Sequence, residues 1–164
     1  ALLAGLSMEE GPAVDVKIAK PGAILFMCGM NAIRSPMAEV IAKRLLPPDI
    51  YIQSAGVRAG DPDPFVDVVL QEVGLSRPKK HQPRTLEELE DDYFDLIVTL
   101  APEAHHKALE LTRSWPVDVE YWPTPDPTVV TGTREQILDA YRSVRDHISK
   151  LIDSRLAAGA RRGA

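Results

Sequence analysis

The chain has one cysteine in 164 residues, so no disulfide can form within it and no C-x-x-C pair is available for zinc or dithiol chemistry. A chain without disulfides suits a reducing compartment, and a cytoplasmic location is expected. Aromatic residues are scarce, at 5%, and are not interleaved with a basic stripe. Asp and Glu number 24 against 19 Lys and Arg, a net charge of −5, so a nucleic-acid partner is not expected. No apolar run approaches the roughly 20 residues of a membrane span, and a membrane partner is not expected either. The G-x-x-x-x-G-K-[ST] loop of nucleotide-binding proteins is absent. Nothing calls for a metal or cofactor, and no pattern speaks to oligomeric state. The opening ALLAGLSMEEGPAV has neither the basic flank nor the long apolar core of a secretory signal. Residues 1–20 are expected to form a flexible extension, with Met8 a candidate start and residues 1–7 of open origin.

What is present is an ordinary globular balance, 45% hydrophobic and 26% charged, enough for one domain with a sizeable core. That domain is expected over residues 21–158, with 159–164 a flexible tail. Short apolar runs alternate with helical patterns. AILFM (23–27), YIQSA (51–55), DLIVTL (95–100) and VDVEYW (117–122) read as strands. PMAEVIAKRLL (36–46), stopped by Pro47-Pro48, a segment opened by Asp63-Pro64 and closed at Gly74, and PEAHHKALEL read as helices. TLEELE reads as a short helical segment. Residues 134–156 predict the longest helix, with Ile137, Tyr141, Val144, Ile148 and Leu151 on one apolar stripe. This alternation predicts an α/β fold of three layers: a four-stranded parallel sheet, helices on both faces, and a phosphate-binding loop after the first strand. Ligands bind such sheets at the carboxyl ends of the strands.

The single cysteine sits at such an end, in ILFMCGMNAIRSPMAE (24–39). A turn from strand to helix aims several backbone N–H groups into one concavity, where the helix dipole adds positive potential. Gly29, Met30, Asn31, Ala32, Ile33, Arg34 and Ser35 are therefore the candidate substrate-binding loop. The same field favours the thiolate of Cys28. Arg34 offers a planar cationic fork for two phosphate oxygens, and Ser35 a hydroxyl that can donate to the sulfur. Pro36 suits a first helical turn. The chemistry that fits is attack of sulfur on phosphorus, followed by hydrolysis of the cysteinyl-phosphate. Departure of an alcohol needs a proton donor, and Asp126 in PTPDPT is the best-placed carboxyl. Plainer readings stand beside these: a buried strand-end thiol for Cys28, a surface cation for Arg34, a turn-starting Asp-Pro for Asp126. Asp61 and Asp63 read as turn or cap residues. His105-His106 read as solvated, not as a metal pair, and EELEDD (87–92) as a soluble acidic face.

These residues resemble the low-molecular-weight protein tyrosine phosphatases, whose opening motif C-x-G-N-x-C-R-S-P-x-A-E is matched at Cys28, Asn31, Arg34, Ser35, Pro36, Ala38 and Glu39. IQSAGV, DPDPFVDVVLQEVGL, HQPR, FDLIVTL and Asp126-Pro127 extend the resemblance over residues 22–156. It implies a phosphotyrosine protein or small aryl phosphate as substrate, Cys28 as nucleophile, Arg34 as phosphate clamp, Ser35 as thiolate donor and Asp126 as general acid. It also implies that Asn31, Ser54 and His81 hydrogen-bond to hold the loop.

Four departures qualify it. Met30 replaces the family's glycine. Ile33 replaces a second cysteine that can shelter an oxidised nucleophile. Phe65 alone offers an aromatic wall, Thr128 standing in place of a tyrosine, unless Trp122 or Tyr93 substitutes. Ala101 and Ala108 stand where related thiol-coupled arsenate reductases carry relay cysteines. An arsenate reductase using an external thiol and a phosphate-binding module without turnover remain as alternatives.

Overall fold

The computed structural model describes residues 21–79, 81–89 and 93–157. The expectations for 1–20 and 159–164, and for Glu90, Asp91 and Asp92 in the acidic run, lie outside them. Four strands form one parallel sheet: β1 (Ala23–Cys28), β2 (Tyr51–Gly56), β3 (Leu96–Thr99) and β4 (Asp118–Tyr121), in the order β2-β1-β3-β4. Because β1 has β2 on one side and β3 on the other, the strand order reverses at β1, where a crevice opens at the carboxyl end. Cys28 is the last residue of that strand, opposite Gly56 in register.

Alternate residues of β1 feed two cores. Ile24 and Phe26 pack with α1 (Arg34–Leu45), α2 (Pro64–Gln71) and α4 (Arg134–Leu151). Leu25 and Met27 pack with Ala101, Ala104 and Ala108 at α3 (Pro102–Leu111). Every residue of β1 is buried, the continuous apolar run demanded of a parallel strand covered on both faces.

The helices begin where local chemistry directs. Asp63 caps α2, accepting a hydrogen bond from Phe65 N–H at 2.9 Å, and Pro64 fills its first position. The helix itself stops at Gln71, and the chain turns through Gly74 at φ 77°. Thr133 and Gln136 form a capping box at the start of α4. α1 starts two residues before the predicted Pro36, and Ser35 to Ala42 are all buried, because this helix lies between the sheet and α4.

The expected stripe of α4 shifts. Leu138 is buried along with Tyr141, Val144 and Ile148, and the stripe continues through Ile152, Leu156 and Ala157 in a wider π-turn (Ile152–Ala157). Ile137 and Leu151 are only partly buried at its margins. A helix that contacts both α1 and α2 buries a broader face than one strict stripe. TLEELE is a single 3₁₀ turn (Leu86–Glu88). Glu87 pairs with Lys107 at 2.8 Å and Glu88 closes a capping box with Thr85. His105 is not solvated as expected: Nδ1 lies 2.9 Å from Thr99 Oγ1 and the ring stacks on Tyr121 at 4.6 Å, while His106 is exposed.

Candidate active site

Residues 28–35 loop from β1 into α1, and a second segment braces them from behind. The carbonyls of Cys28, Gly29 and Met30 accept hydrogen bonds from Val57, Arg58 and Gly60 N–H at 3.2, 2.9 and 2.9 Å. Across a trans peptide C=O and N–H point opposite ways, so the amides of Gly29, Met30 and Asn31 turn away from that segment. Gly56 makes the approach possible. A Cβ there would lie 2.5 Å from Arg58 O, 2.7 Å from Asn31 N and 2.9 Å from Gly29 O.

Met30, at the family's glycine position, needs no glycine freedom. Asn31 is the one non-glycine residue with positive φ among the described residues, at 53°, and asparagine tolerates that region. Its fully buried side chain is the hub of the loop. Nδ2 donates to Ser35 Oγ at 2.9 Å and to Ser54 Oγ at 3.0 Å, and Oδ1 accepts from Arg84 N–H at 3.0 Å. With Asn31 supplying a donor to each serine oxygen, both serine hydrogens are free to point elsewhere. Ser54 donates to Glu39 Oε1 at 2.6 Å, and Ser35 Oγ lies 3.0 Å from Cys28 Sγ. Glu39 is itself held by Lys43 at 2.7 Å, one helical turn on.

His81 does not join this network. Among the described residues its buried Nε2 has no hydrogen-bond partner; burial lowers its proton affinity, with the Glu39 charge pulling the other way. Arg84, three residues on, bonds instead: its N–H to Asn31, its Nε to Ser54 O at 3.0 Å, and its guanidinium to Gln53. Glu39 and Arg84 stand in the quoted sequence motifs without an assigned role. Glu39 had a signal, since it lies one helical turn beyond Ser35; Arg84 had none, because its partners are more than twenty residues away.

Opposite the loop, the chain after β4 is pinned by Trp122 N–H to Thr99 O at 2.8 Å and Thr124 N–H to Leu100 O at 3.1 Å. Arg34 reaches across to it, donating from Nη1 to Thr124 O at 3.0 Å. Among the described residues Arg34 makes no other side-chain hydrogen bond, which leaves its remaining donors for an anion. Asp126 caps the 3₁₀ turn Pro127–Val129, and its Oδ1 accepts from Thr128 N–H at 2.9 Å and Thr128 Oγ1 at 2.7 Å. Burial favours the neutral carboxyl, but the Thr128 bonds and the Arg34 charge outweigh it and hold Asp126 below the usual aspartate value.

Cys28, Arg34 and Asp126 line one pocket of about 270 Å³, with Met30, Ala32, Ile33, Gly60, Asp61, Asp63 and Thr128. None of the expected aromatics walls it. Phe65 packs edge-on to Tyr141 at 5.4 Å with the Arg134 guanidinium 5.3 Å over its ring. Trp122 is 3% exposed, packed on Phe26. Tyr93 precedes β3, at the end of the parallel sheet away from Cys28. Carboxylates occupy the wall instead. Asp63 does more than cap α2, since its Oδ2 also accepts from Tyr141 Oη at 2.6 Å, and Asp61 is exposed at the mouth. Ala101 and Ala108 are buried against the sheet. Among the described residues no helix is long and apolar enough to cross a membrane, and no group of His, Cys, Asp and Glu is arranged to hold a metal.

A four-stranded parallel sheet carries a Cys-to-Arg loop at its switch point, in a small α/β fold. Residues 23–160 match the family model described as low molecular weight phosphotyrosine protein phosphatase, and the chain belongs to that family. It is 33% identical over 128 residues to an arsenate reductase of Bacillus subtilis, covering 76% of this chain and 88% of that protein. A second arsenate reductase, of Halalkalibacterium halodurans, is 31% identical over 131 residues, 79% and 91% of the two chains. Among solved structures, an arginine phosphatase of Geobacillus stearothermophilus superposes with a TM-score of 0.67 at 25% identity, covering 87% of this chain and 95% of that one. A tyrosine phosphatase of Erwinia amylovora, at 21% identity and TM-score 0.65 over 88% and 93%, shares the fold.

Proposed function

We propose that this protein is a cysteine-dependent phosphomonoesterase of the protein tyrosine phosphatase type. The observation that carries the reading is one pocket holding Cys28, Arg34 and Asp126, with Ser35 Oγ 3.0 Å from the sulfur. The loop amides and Arg34 receive the phosphate dianion. Cys28 thiolate attacks phosphorus in line with the ester oxygen; the S–P bond forms, the P–O bond breaks, and Asp126 delivers its proton to the departing oxygen. Water then attacks phosphorus, passing its proton to Asp126, while the S–P bond breaks and Ser35 hydrogen-bonds to the returning thiolate. Inorganic phosphate leaves and the enzyme is restored. Asn31, Ser54, Glu39 and Arg84 serve by holding the loop open, and His81 is left without a bonding role there.

The substrate is a phosphotyrosine protein or a small aryl phosphate. A phosphorylated guanidine, as the name of the arginine phosphatase relative suggests, is a second reading; the pocket wall favours it, having no aromatic ring and the carboxylates Asp61, Asp63 and Asp126. Arsenate reduction, named in the curated relatives, consumes two electrons per arsenic. The chain's single thiol, with Ala101 and Ala108 lacking sulfur, supplies no internal dithiol for it, so an external thiol would have to deliver them.

Hydrolysis of p-nitrophenyl phosphate by wild type, Cys28→Ser and Asp126→Asn tests the mechanism. Cys28→Ser should abolish turnover, and Asp126→Asn should slow phenyl phosphate about 10²–10⁴-fold, more than p-nitrophenyl phosphate. Full activity in Cys28→Ser refutes the mechanism. Arsenate-dependent thiol consumption exceeding phosphate release would move the assignment to the reductase, and phosphopeptide binding without phosphate release to a binding module.

A further inference from the structure

Asp126 and Thr128 are joined twice, and the two bonds differ in origin. The bond from Thr128 N–H to Asp126 Oδ1, at 2.9 Å, belongs to the Asp-Pro turn, and any residue except proline at position 128 could make it. The bond from Thr128 Oγ1 to the same Oδ1, at 2.7 Å, needs a hydroxyl on the β-carbon. A tyrosine hydroxyl, at the far end of its ring, does not fold back to a carboxyl two residues earlier. The shorter bond is therefore particular to the threonine this chain carries.

We infer that Thr128 is a positioning residue for the acid: its hydroxyl, together with its amide, fills Asp126 Oδ1 and reserves Oδ2 as the oxygen that carries the transferable proton. A carboxylate oxygen that already accepts two donors has no free lone pair in its plane, so a proton added there would have to displace one of them. Oδ2 receives no hydrogen bond among the described residues. Thr128 lines the same pocket as Asp126 and Cys28, which puts this selection beside the reacting centre.

The arrangement has a consequence that opposes it. Donors to a carboxylate stabilise its charged form, and Asp126 is indeed held below the ordinary aspartate value against the pull of burial. Thr128 thus directs the proton and at the same time thins the population of enzyme that carries one. The charged and titratable groups facing Asp126 are Arg34 and Cys28 from the loop, Asp61 and Asp63 from the β2–α2 connection, and Tyr141 from α4, whose hydroxyl is bonded to Asp63. Of these only Arg34 is positive, and together with the Thr128 bonds it holds the charged carboxylate against burial.

The inference rests on Asp126 being the acid, and the experiment separates the two. Profiles of kcat/KM against pH are measured for phenyl phosphate and p-nitrophenyl phosphate in wild type, Thr128→Val, Thr128→Ser and Asp126→Asn. Valine keeps the branched shape and removes the hydroxyl; serine keeps the hydroxyl. In Thr128→Val the basic limb for phenyl phosphate should move up by about one pH unit, the scale of one charge-assisted hydrogen bond. On the acid side of that limb its rate should fall several-fold, with a smaller loss for p-nitrophenyl phosphate, whose leaving group needs less proton. Thr128→Ser should restore both. A misplaced loop alone would lower rates without moving the limb upward. A limb that stays or moves down in Thr128→Val, or serine behaving as valine, overturns the role of Thr128 while leaving Asp126 as the acid. A limb that persists in Asp126→Asn overturns both.

Discussion

Replacing Asn31 by alanine attacks the loop at its hub. Three hydrogen bonds disappear: those to Ser35 Oγ and Ser54 Oγ, and that from Arg84 N–H, which is left without its acceptor beside a fully buried side-chain site. At about 1 kcal/mol net for each bond, with more for a buried donor left unpaired, the loss is about 2–4 kcal/mol. Alanine must also hold φ at 53° without the local hydrogen bonding that lets asparagine do so; a left-handed backbone adds about 1 kcal/mol. The expected destabilisation is therefore about 3–5 kcal/mol, a large share of a small domain's total stability. Urea unfolding followed by circular dichroism reads it directly. Activity should fall as well. Without Asn31 donating to Ser35 Oγ, the hydroxyl loses the contact that orients it toward Cys28 Sγ at 3.0 Å and turns more readily to Ala55 O at 3.4 Å; loss of one bond to a thiolate is worth about tenfold in rate. Ser54→Ala keeps the Arg84 and Ser35 bonds to Asn31 and the asparagine at the left-handed position, but removes the bond from Asn31 Nδ2 and the one to the buried Glu39 Oε1, and should lose about 2–3 kcal/mol. If Asn31→Ala unfolds within about 1 kcal/mol of wild type, the hub does not hold the loop and the reasoning fails.

Further outcomes follow from other contacts. Gly56→Ala drives a methyl into three backbone atoms at 2.5–2.9 Å and should cost about 1–3 kcal/mol and most of the activity, whereas Gly60→Ala meets only the Met30 side chain and the backbone behind it and should be milder; equal behaviour of the two variants would refute the bracing of the loop by residues 56–60. His81 and His105 both bind protons less readily folded than unfolded because of burial. The unfolded chain then holds more protons just below about pH 6.5, so their contribution is complete above that pH and is lost as pH falls toward their folded values. Melting temperatures from pH 7.5 to 5.5 should decline less in His81→Gln than in wild type, and an identical decline would refute the assignment. Asp61→Asn should raise kcat/KM for the dianion p-nitrophenyl phosphate and lower it for a phosphoarginine peptide, and parallel changes would show that Asp61 does not discriminate by charge. Peroxide treatment without added thiol should inactivate the enzyme irreversibly, because Cys28 has no second cysteine to pair with; recovery on later reduction would contradict this.

Much of the architecture was written locally. Apolar runs of strand length, Asp63-Pro64 and Thr133 at helix starts, Pro47-Pro48 after α1 and Gly74 after α2 are signals among residues a few positions apart, where backbone sterics and capping bonds operate. The alternation of those elements implies a parallel sheet, and the interval from Cys28 to Ser35 marked the crevice at its edge. The reading erred where side chains choose partners across the fold. His81 and Arg84 lie three residues apart in one segment, and only the packing of that segment against β2 decides that Arg84 bonds to Asn31 and Ser54. Phe65, Trp122 and Tyr93 all could have walled the pocket by composition; tertiary packing turned one onto Tyr141, sealed one against Phe26 and left one at the other end of the sheet.

By itself, then, the sequence determined the strand–loop–helix unit, the cysteine and arginine it carries, and the order of elements around it, because these depend on short-range geometry. Tertiary structure alone decided which segment backs the loop, which carboxylates face the sulfur and which residue occupies the left-handed position. Those outcomes are settled by steric fit and hydrogen-bond satisfaction between parts of the chain that spacing does not relate.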